Sequence, residues 1–373
     1  MAAEQKPGDG ATTDIKSQEE RMRQLEIHGE IINDDSECYV IAEIGHNHQG
    51  SLEKAMEMIR VAKESGANAV KLQKRDNRNL YVASLYNKPY DHENSFGATY
   101  GEHREFLEFG KSQYDELMSY ARGLGITLFA TAFDFGSVDF LETIGVPAYK
   151  VASGDLKNIP LVTYMAGTGK PLIISTGGGT MEDVQRLYDA IMPINPNLAF
   201  LQCTGAYPCD FEELDLKVIS TFRERFPNKV IGLSAHDNGI SMVVAAYVLG
   251  ARIIEKHFTL NRALKGTDHA FSLAPTGLHK MIRDLRRIRV ALGDGVKKTY
   301  PSEKSPIMKM GKKLVAARDL RQGTSLKRED IAIKSPADGL PPYEIEKLIG
   351  RVLNKDVAKD ENIDFAVLDG SPS

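Results

Sequence analysis

The sequence predicts an α/β fold, a (β/α)8 TIM barrel followed by a small β-rich module. Three observations carry that expectation. Eight short apolar runs recur from residue 39 onward, helical patterns separate most of them, and the alternation spans about 260 residues. Size and count both match a barrel, whereas an open doubly wound sheet, the alternative, needs fewer strands.

In chain order the predicted strands are 39–45, 69–73, 126–133, 148–153, 172–177, 198–203, 230–236 and 253–259. Helical patterns fall at 52–65, 113–123, 181–191, 214–226 and 278–292. A further helical stretch, 239–250, joins the last two strands. A strand, a helix and a second parallel strand bring both strand ends to one rim of a sheet, where α/β enzymes do chemistry. No Gly-x-Gly-x-x-Gly motif follows any strand, which removes the usual dinucleotide site. The Gly177-Gly178-Gly179 run is a weak phosphate-binding candidate.

Residues 1–34 read as a disordered or poorly ordered tail that can end in a short helical or strand segment. The barrel is expected over 35–292, a Gly-, Lys-, Ser- and Pro-rich linker over 293–312, and the small module over 313–369. That module carries an internal echo, 317–323 against 354–360. Residues 78–111 form an insertion after the second strand, rich in Tyr and Phe and carrying His103 and Arg104. It reads equally as a cover for the rim or as a surface loop with its own small core.

Composition bounds the function. The chain has 373 residues, 42% hydrophobic and 26% charged, with a net charge of −4. It shows no global basic surface for nucleic acid, no apolar run near the ~20 residues that span a bilayer, and no apolar signal core. Three cysteines are too few for a disulfide framework, and Cys203 reads as a small buried hydrophobe. A cytoplasmic enzyme or binding protein is expected, with no membrane or nucleic-acid partner.

Strand side chains alternate between two faces. One parity collects Glu43, Lys71, Gln73, Thr131, Phe133, Lys150, Ser175, Ser234, His236, Glu255 and His257. The other is mostly apolar, with Lys256 an exception. A structural barrel interior would prefer Val, Ile and Leu. Burying so many charges costs several kcal/mol each (about) unless they are paired, hydrated or bound to ligand. An inward polar site near the strand ends is therefore expected. Each histidine alone reads as a hydrogen-bonded core residue. Two on adjacent strands with one parity read as ligands for Mn, Co, Zn or Fe, able to polarise a carbonyl. Lys71 and Lys150, with Ser and Thr hydroxyls, suit a phosphorylated or carboxylated substrate.

The stretches Ile41-Ala42-Glu43-Ile44-Gly45-His46-Asn47-His48-Gln49-Gly50, Ala69-Val70-Lys71-Leu72-Gln73, Ala148-Tyr149-Lys150-Val151-Ala152-Ser153-Gly154, Gly232-Leu233-Ser234-Ala235-His236 and Glu255-Lys256-His257-Phe258-Thr259 resemble the sialic acid synthase family. Residues 313–369 resemble that family's antifreeze-like (SAF) domain. The resemblance implies condensation of phosphoenolpyruvate with N-acetylmannosamine or a related N-acetylated amino sugar, giving a nine-carbon 2-keto-3-deoxy sugar acid and phosphate. It implies that His236 and His257 hold a divalent ion, Mn2+ foremost, with Mg2+ or Co2+ as alternatives. It implies that Lys71, Lys150, Ser153, Ser175 and Ser234 bind phosphate and carboxylate, with Gln73, Thr131, Phe133 and Asp155 around the same pocket. Glu43 and Glu255 match acidic positions that handle protons or place a water. Tyr207 and Asp268 match the sugar side. The family's dimer sets the small domain of one chain over the barrel of the other.

Three departures from the family pattern stand out. The small domain's usual Lys-Arg-Pro is Lys334-Ser335-Pro336, so the arginine contact to the sugar is absent or supplied elsewhere, with Arg104 a candidate. Gly205 stands where Asn or Ser is common, and Ala235 where an acidic residue is common. The first two lie on the sugar side, so legionaminic and pseudaminic acid synthesis stay open. Other classes are a metal-dependent pyruvate aldolase or lyase, and a sugar- or ice-binding protein built on the C-terminal module.

Overall fold

The computed structural model describes residues 23–370. Eight parallel strands close the barrel: β3 (Tyr39–Gly45), β4 (Ala69–Lys74), β5 (Thr127–Ala132), β6 (Tyr149–Val151), β7 (Leu172–Ser175), β8 (Leu198–Cys203), β9 (Val230–Ala235) and β10 (Ile253–His257), with β10 pairing back onto β3. All eight expected strands are present. Between and after them run α1 (Leu52–Ser65), α2 (Asn77–Leu80), α3 (Ala83–Tyr86), α4 (Tyr100–Phe106), α5 (Lys111–Leu124), α6 (Phe135–Ile144), α7 (Ile159–Ala166), α8 (Met181–Ile191), α9 (Val218–Arg225), α10 (Ser241–Val248) and α11 (Pro275–Ala291). The helix expected at 214–226 begins later, at Val218, after a 3-10 turn, Phe211–Glu213. No helix among the described residues is long and apolar enough to cross a membrane.

Local chemistry sets the helix ends. Ser51 caps α1 by accepting from the Lys54 amide, and Gly66 ends it at φ 96°, where a side chain would be strained. Asp134 caps α6, and its other oxygen accepts from the Asp76 amide, tying the β4 exit to the β5 exit.

Inside the barrel, side chains stack in two layers. By alternation, Ile41, Phe129, Ile173, Leu201 and Ile253 form an apolar layer beneath the polar one, and all are fully buried. Gly232 completes it, because a Cβ there would sit 2.3 Å from the Ile253 carbonyl oxygen and 2.4 Å from Leu201. At the top of β3 the pairing slips between Glu43 and Gly45, a bulge where Gly45 takes φ 54°.

The segments before and after the barrel carry short elements, the first of them the strand segment that the sequence allowed at the end of its tail. The expected tail is structured over its described part: β1 (Gln24–Ile27) and β2 (Glu30–Asn33) form an antiparallel hairpin. Leu25, Ile27 and Ile32 are its buried face. It meets the N-terminal ends of the strands, where Asn68 donates to Glu30 at 2.6 Å and Arg252 donates to the Asp34 carbonyl at 3.0 Å. The alternation Leu25-x-Ile27 is short enough to be lost beside a polar tail. Residues 1–22 lie outside the described residues. The second compact unit begins at Asp294, and the expected linker carries α12 (Lys304–Met310).

That unit pairs β11 (Lys313–Ala316) with β12 (Ile331–Lys334) over a core that includes Leu314, Leu320, Leu353 and Val357. Its echo has a structural meaning. Leu320 and Val357 exchange backbone hydrogen bonds, Asp356 accepts from the Gln322 amide, and Asp319 accepts from the Lys359 amide. Each copy of the motif therefore supplies the turn acceptor for the other.

Lys256, the polar residue on the wrong parity, is explained by Asp237. Its Nζ lies 2.8 Å from Asp237 Oδ1, and both side chains are at most 2% exposed. Burial lowers the lysine's pKa and Asp237 opposes the shift. Asp237→Ala leaves a buried ammonium without its carboxylate and is expected to cost about 3–5 kcal/mol. Urea unfolding at an unchanged slope checks this, and a loss under ~1 kcal/mol would contradict it.

Candidate active site

A cavity of about 600 Å³ opens at the C-terminal ends of the strands. Every expected inward residue lines it: Glu43, Lys71, Gln73, Thr131, Phe133, Lys150, Ser175, Ser234, His236, Glu255 and His257. Ser153, Tyr207 and Asp268 join them. Asp155 does not. Its carboxylate accepts from Asn158 Nδ2 at 3.0 Å and stabilises the turn after β6. The Gly177–179 run is also absent from the lining. Gly177 is small because a Cβ would meet Ser153 Oγ at 2.8 Å.

Two lysine–carboxylate pairs occupy the deep part. Lys71 Nζ lies 2.7 Å from Glu43 Oε2 and donates to Thr131 Oγ1 at 2.7 Å. Lys150 Nζ donates to Ser175 Oγ at 2.6 Å and to the Val151 carbonyl at 2.8 Å, with Glu255 Oε1 at 4.0 Å. The two carboxylates are pushed apart in pKa. Burial raises that of Glu43, Lys71 opposes the rise, and the neighbouring Glu255 charge adds to it. Burial also acts upward on Glu255, but Lys150, Lys71 and the two histidines outweigh it and hold the group below the usual range. Two carboxylates so separated can divide acid and base roles. Burial lowers the pKa of Lys150.

The histidines meet as their strands predict. Their ring centroids are 5.4 Å apart. His236 Nδ1 lies 2.8 Å from the Thr204 carbonyl oxygen, which can only accept, so Nε2 carries the lone pair. Burial lowers the pKa of His257 and keeps it neutral, its Nδ1 without a hydrogen-bond partner and 3.7 Å from Asp268 Oδ2. No group of three or more His, Cys, Asp or Glu among the described residues forms a ready metal cage. Two imidazoles, one oriented by a carbonyl and one with an unpartnered nitrogen, fit an ion that takes its other ligands from solvent or substrate. Tyr207 packs on His236 at 4.1 Å between centroids and is 55% exposed, which puts it near the mouth.

Several lining residues escaped the sequence reading. Cys203 is buried as expected, yet it lines the cavity and its Sγ accepts from Ser153 Oγ at 3.4 Å. Burial acts upward on its thiol, but His236, Ser153 and Lys150 bring it below the ordinary value. Arg75 follows β4 and completes the inward parity of Lys71 and Gln73, a signal that could have found it. The insertion satisfies both of its readings. Tyr90, Phe96, Tyr100 and His103 make an aromatic core, while His92, Asn94 and Arg104 reach the cavity. Asn94 Oδ1 accepts from the Gly266 amide at 2.8 Å, joining this loop to the one that carries Asp268.

Comparisons with known proteins agree with this fold. The NeuB family model matches residues 58–297 and the SAF domain model residues 313–368. An N-acetylneuraminate-9-phosphate synthase of Homo sapiens is 41% identical over 327 residues, covering 87% of this chain and 91% of that one. An N,N'-diacetyllegionaminic acid synthase of Campylobacter jejuni is 33% identical, covering 87% and 98%. The crystal structure of an N-acetylneuraminic acid synthetase from Leptospira borgpetersenii superposes with a TM-score of 0.67 at 30% identity, covering 77% of this chain and 95% of that one.

Proposed function

Since the chain belongs to the NeuB family and ends in a SAF domain, we propose that it condenses phosphoenolpyruvate with an N-acetylated hexosamine of the N-acetylmannosamine type. The observation that carries this reading is one cavity holding two lysine–carboxylate pairs beside two adjacent imidazoles. C3 of phosphoenolpyruvate forms a bond to the aldehyde carbon, and the aldehyde oxygen takes a proton. Water adds to C2, giving up a proton. The C2–O bond to phosphate then breaks, and phosphate leaves with its bridging oxygen. The nine-carbon 2-keto acid therefore carries a C2 oxygen from water.

Each residue has a part in this sequence. Lys71 and Lys150, with Ser153, Ser175 and Ser234, hold the phosphate and carboxylate. Glu43, whose pKa is raised, moves the water's proton, with Gln73 donating to its Oε1 at 2.8 Å. Glu255 stays ionised and offsets positive charge developing at C2. Tyr207 and Asp268 bound the acceptor side. His236 and His257 would hold a divalent cation, Mn2+ foremost, whose charge polarises the acceptor carbonyl when bound. A homodimer with the small domain of one chain over the barrel of its partner belongs to the same reading.

A panel of aldehyde sugars tests the reaction. Purified protein with phosphoenolpyruvate and Mn2+ is given N-acetylmannosamine, its phosphate, and the diacetamido-trideoxyhexoses that lead to legionaminic and pseudaminic acid. The expected result is one phosphate released per nine-carbon acid formed, read by product mass. Turnover of pyruvate without phosphate release would instead identify an aldolase.

A further inference from the structure

The relatives' names include both a phosphorylated and unphosphorylated acids, so family membership leaves open whether the acceptor carries a charge. This chain's own residues bear on it. A line of hydrogen-bonded side chains runs outward from the reacting centre. Gln73 Nε2 donates to Glu43 Oε1, and Arg75 Nη2 donates to Gln73 Oε1 at 2.8 Å. Arg75 Nη1 meets His46 Nε2 at 3.2 Å, and Arg104 Nη1 meets His46 Nδ1 at 3.3 Å. One imidazole thus stands between two guanidinium groups that both line the cavity.

That arrangement is short of negative charge: Glu108 Oε1 is 3.6 Å from His46 Nε2, and the Asp268 charge reaches Arg104 only from beyond ion-pair distance. Burial and both arginines keep His46 neutral, and a neutral imidazole accepts at only one nitrogen. Its two nitrogens cannot both accept from arginine. Arg75 is 8% exposed, and the carboxylate oxygen nearest to it, Glu108 Oε1, is 4.0 Å away. Glu108 is already shared with Lys74, at 3.1 Å. Arg104 has no carboxylate within ion-pair distance among the described residues, and its Nε donates to the Tyr100 hydroxyl at 3.1 Å. Asp268 faces His257 instead. Burial and the adjacent Arg104 charge pull Arg75 down. Two cations flanking one imidazole, Arg75 buried and Arg104 half-buried, are costly unless an anion joins them.

We propose that Arg75 and Arg104 form a second anion subsite, which takes the terminal phosphate of a phosphorylated N-acetylhexosamine acceptor. Guanidinium forks match phosphate oxygens in pairs, and two of them suit a dianion. The subsite is distinct from the groups proposed to serve phosphoenolpyruvate, because Lys71 stands at the far end of the hydrogen-bond line and Lys150 lies off it, on Ser175 beside Glu255. The aldehyde must reach phosphoenolpyruvate C3, near His236 and His257, while the phosphate stays at the arginines, so the phosphate belongs at C6, farthest from the reacting C1. The product then carries it at C9, three carbons having been added. The same pair supplies the positive charge that Ser335 does not bring.

This inference rests on the condensation proposed above, and the test separates the two. Wild-type protein is assayed with phosphoenolpyruvate and either N-acetylmannosamine or its 6-phosphate. Turnover of neither sugar, nor of the other aldehydes, overturns the condensation itself. Equal or better kcat/KM for the free sugar overturns the arginine subsite while the condensation stands. The expected result is a preference of 100-fold or more for the 6-phosphate, on the order of 3 kcal/mol. In Arg104→Gln that preference collapses toward unity through KM of the sugar phosphate, and Arg104→Lys keeps part of it. Arg75→Lys, which spares the fold that a smaller side chain could disturb, lowers the preference as well. An undiminished preference in both Arg104→Gln and Arg75→Lys overturns the assignment.

Discussion

Replacing His257 with alanine is expected to lower kcat/KM by about 1,000-fold or more while the protein remains folded. A cation at an imidazole pair contributes several kcal/mol to charge stabilisation, and about 4 kcal/mol corresponds to three powers of ten. The fold should survive because the His257 Nδ1 makes no hydrogen bond that would be lost. The surrounding Phe271 and Tyr207 rings, at 4.9 and 6.1 Å, keep their other contacts. Steady-state kinetics, metal content and a thermal melt are read together. Chelation of the wild type should reproduce the loss and Mn2+ should reverse it. Full turnover by a His257→Ala protein that has shed its metal would defeat the cation's role, as would indifference of the wild type to chelators.

The second large effect is at Glu43. Glu43→Gln keeps the shape and an acceptor for Gln73 but removes the charge, and kcat is expected to fall about 100- to 1,000-fold, the usual contribution of a proton-handling side chain. The pH profile provides the sharper reading. Burial raises the Glu43 pKa above 4.5 despite Lys71. A step that needs the ionised carboxylate therefore fails on the acid side while ordinary glutamates are still charged. The wild-type acidic limb should lie above 4.5, and the variant should lack that limb. A loss under tenfold, or an acidic limb unchanged by the substitution, would assign the proton to another group.

The barrel and its inward polar set were legible because strands have a period of two. Glu43, Lys71, Lys150, Glu255 and the two histidines share one parity, and a single regularity places all of them. What was missed lies where that regularity ends. Arg75 keeps the parity of Lys71 and Gln73 but sits one residue past β4, and His46 follows the bulge at Gly45, where the alternation is broken. Asn94 is placed by a bond to Gly266, 172 positions away, which no local pattern encodes. Asp155, expected around the pocket, is absent from its lining, and its side chain accepts within its own turn. Lys256 looked like an exception to parity and proved to be half of a pair.

The apolar layer of Ile41, Phe129, Ile173, Leu201 and Ile253, backed by the N-terminal hairpin, makes the chamber a cul-de-sac. Traffic through a dead-end passage is last in, first out. On the condensation proposed above, a small three-carbon reactant held at Lys71 and Lys150 would have to arrive before the sugar. Phosphate set free there would wait behind the sugar acid, which would have to pass Tyr207 before the inner berth could be vacated.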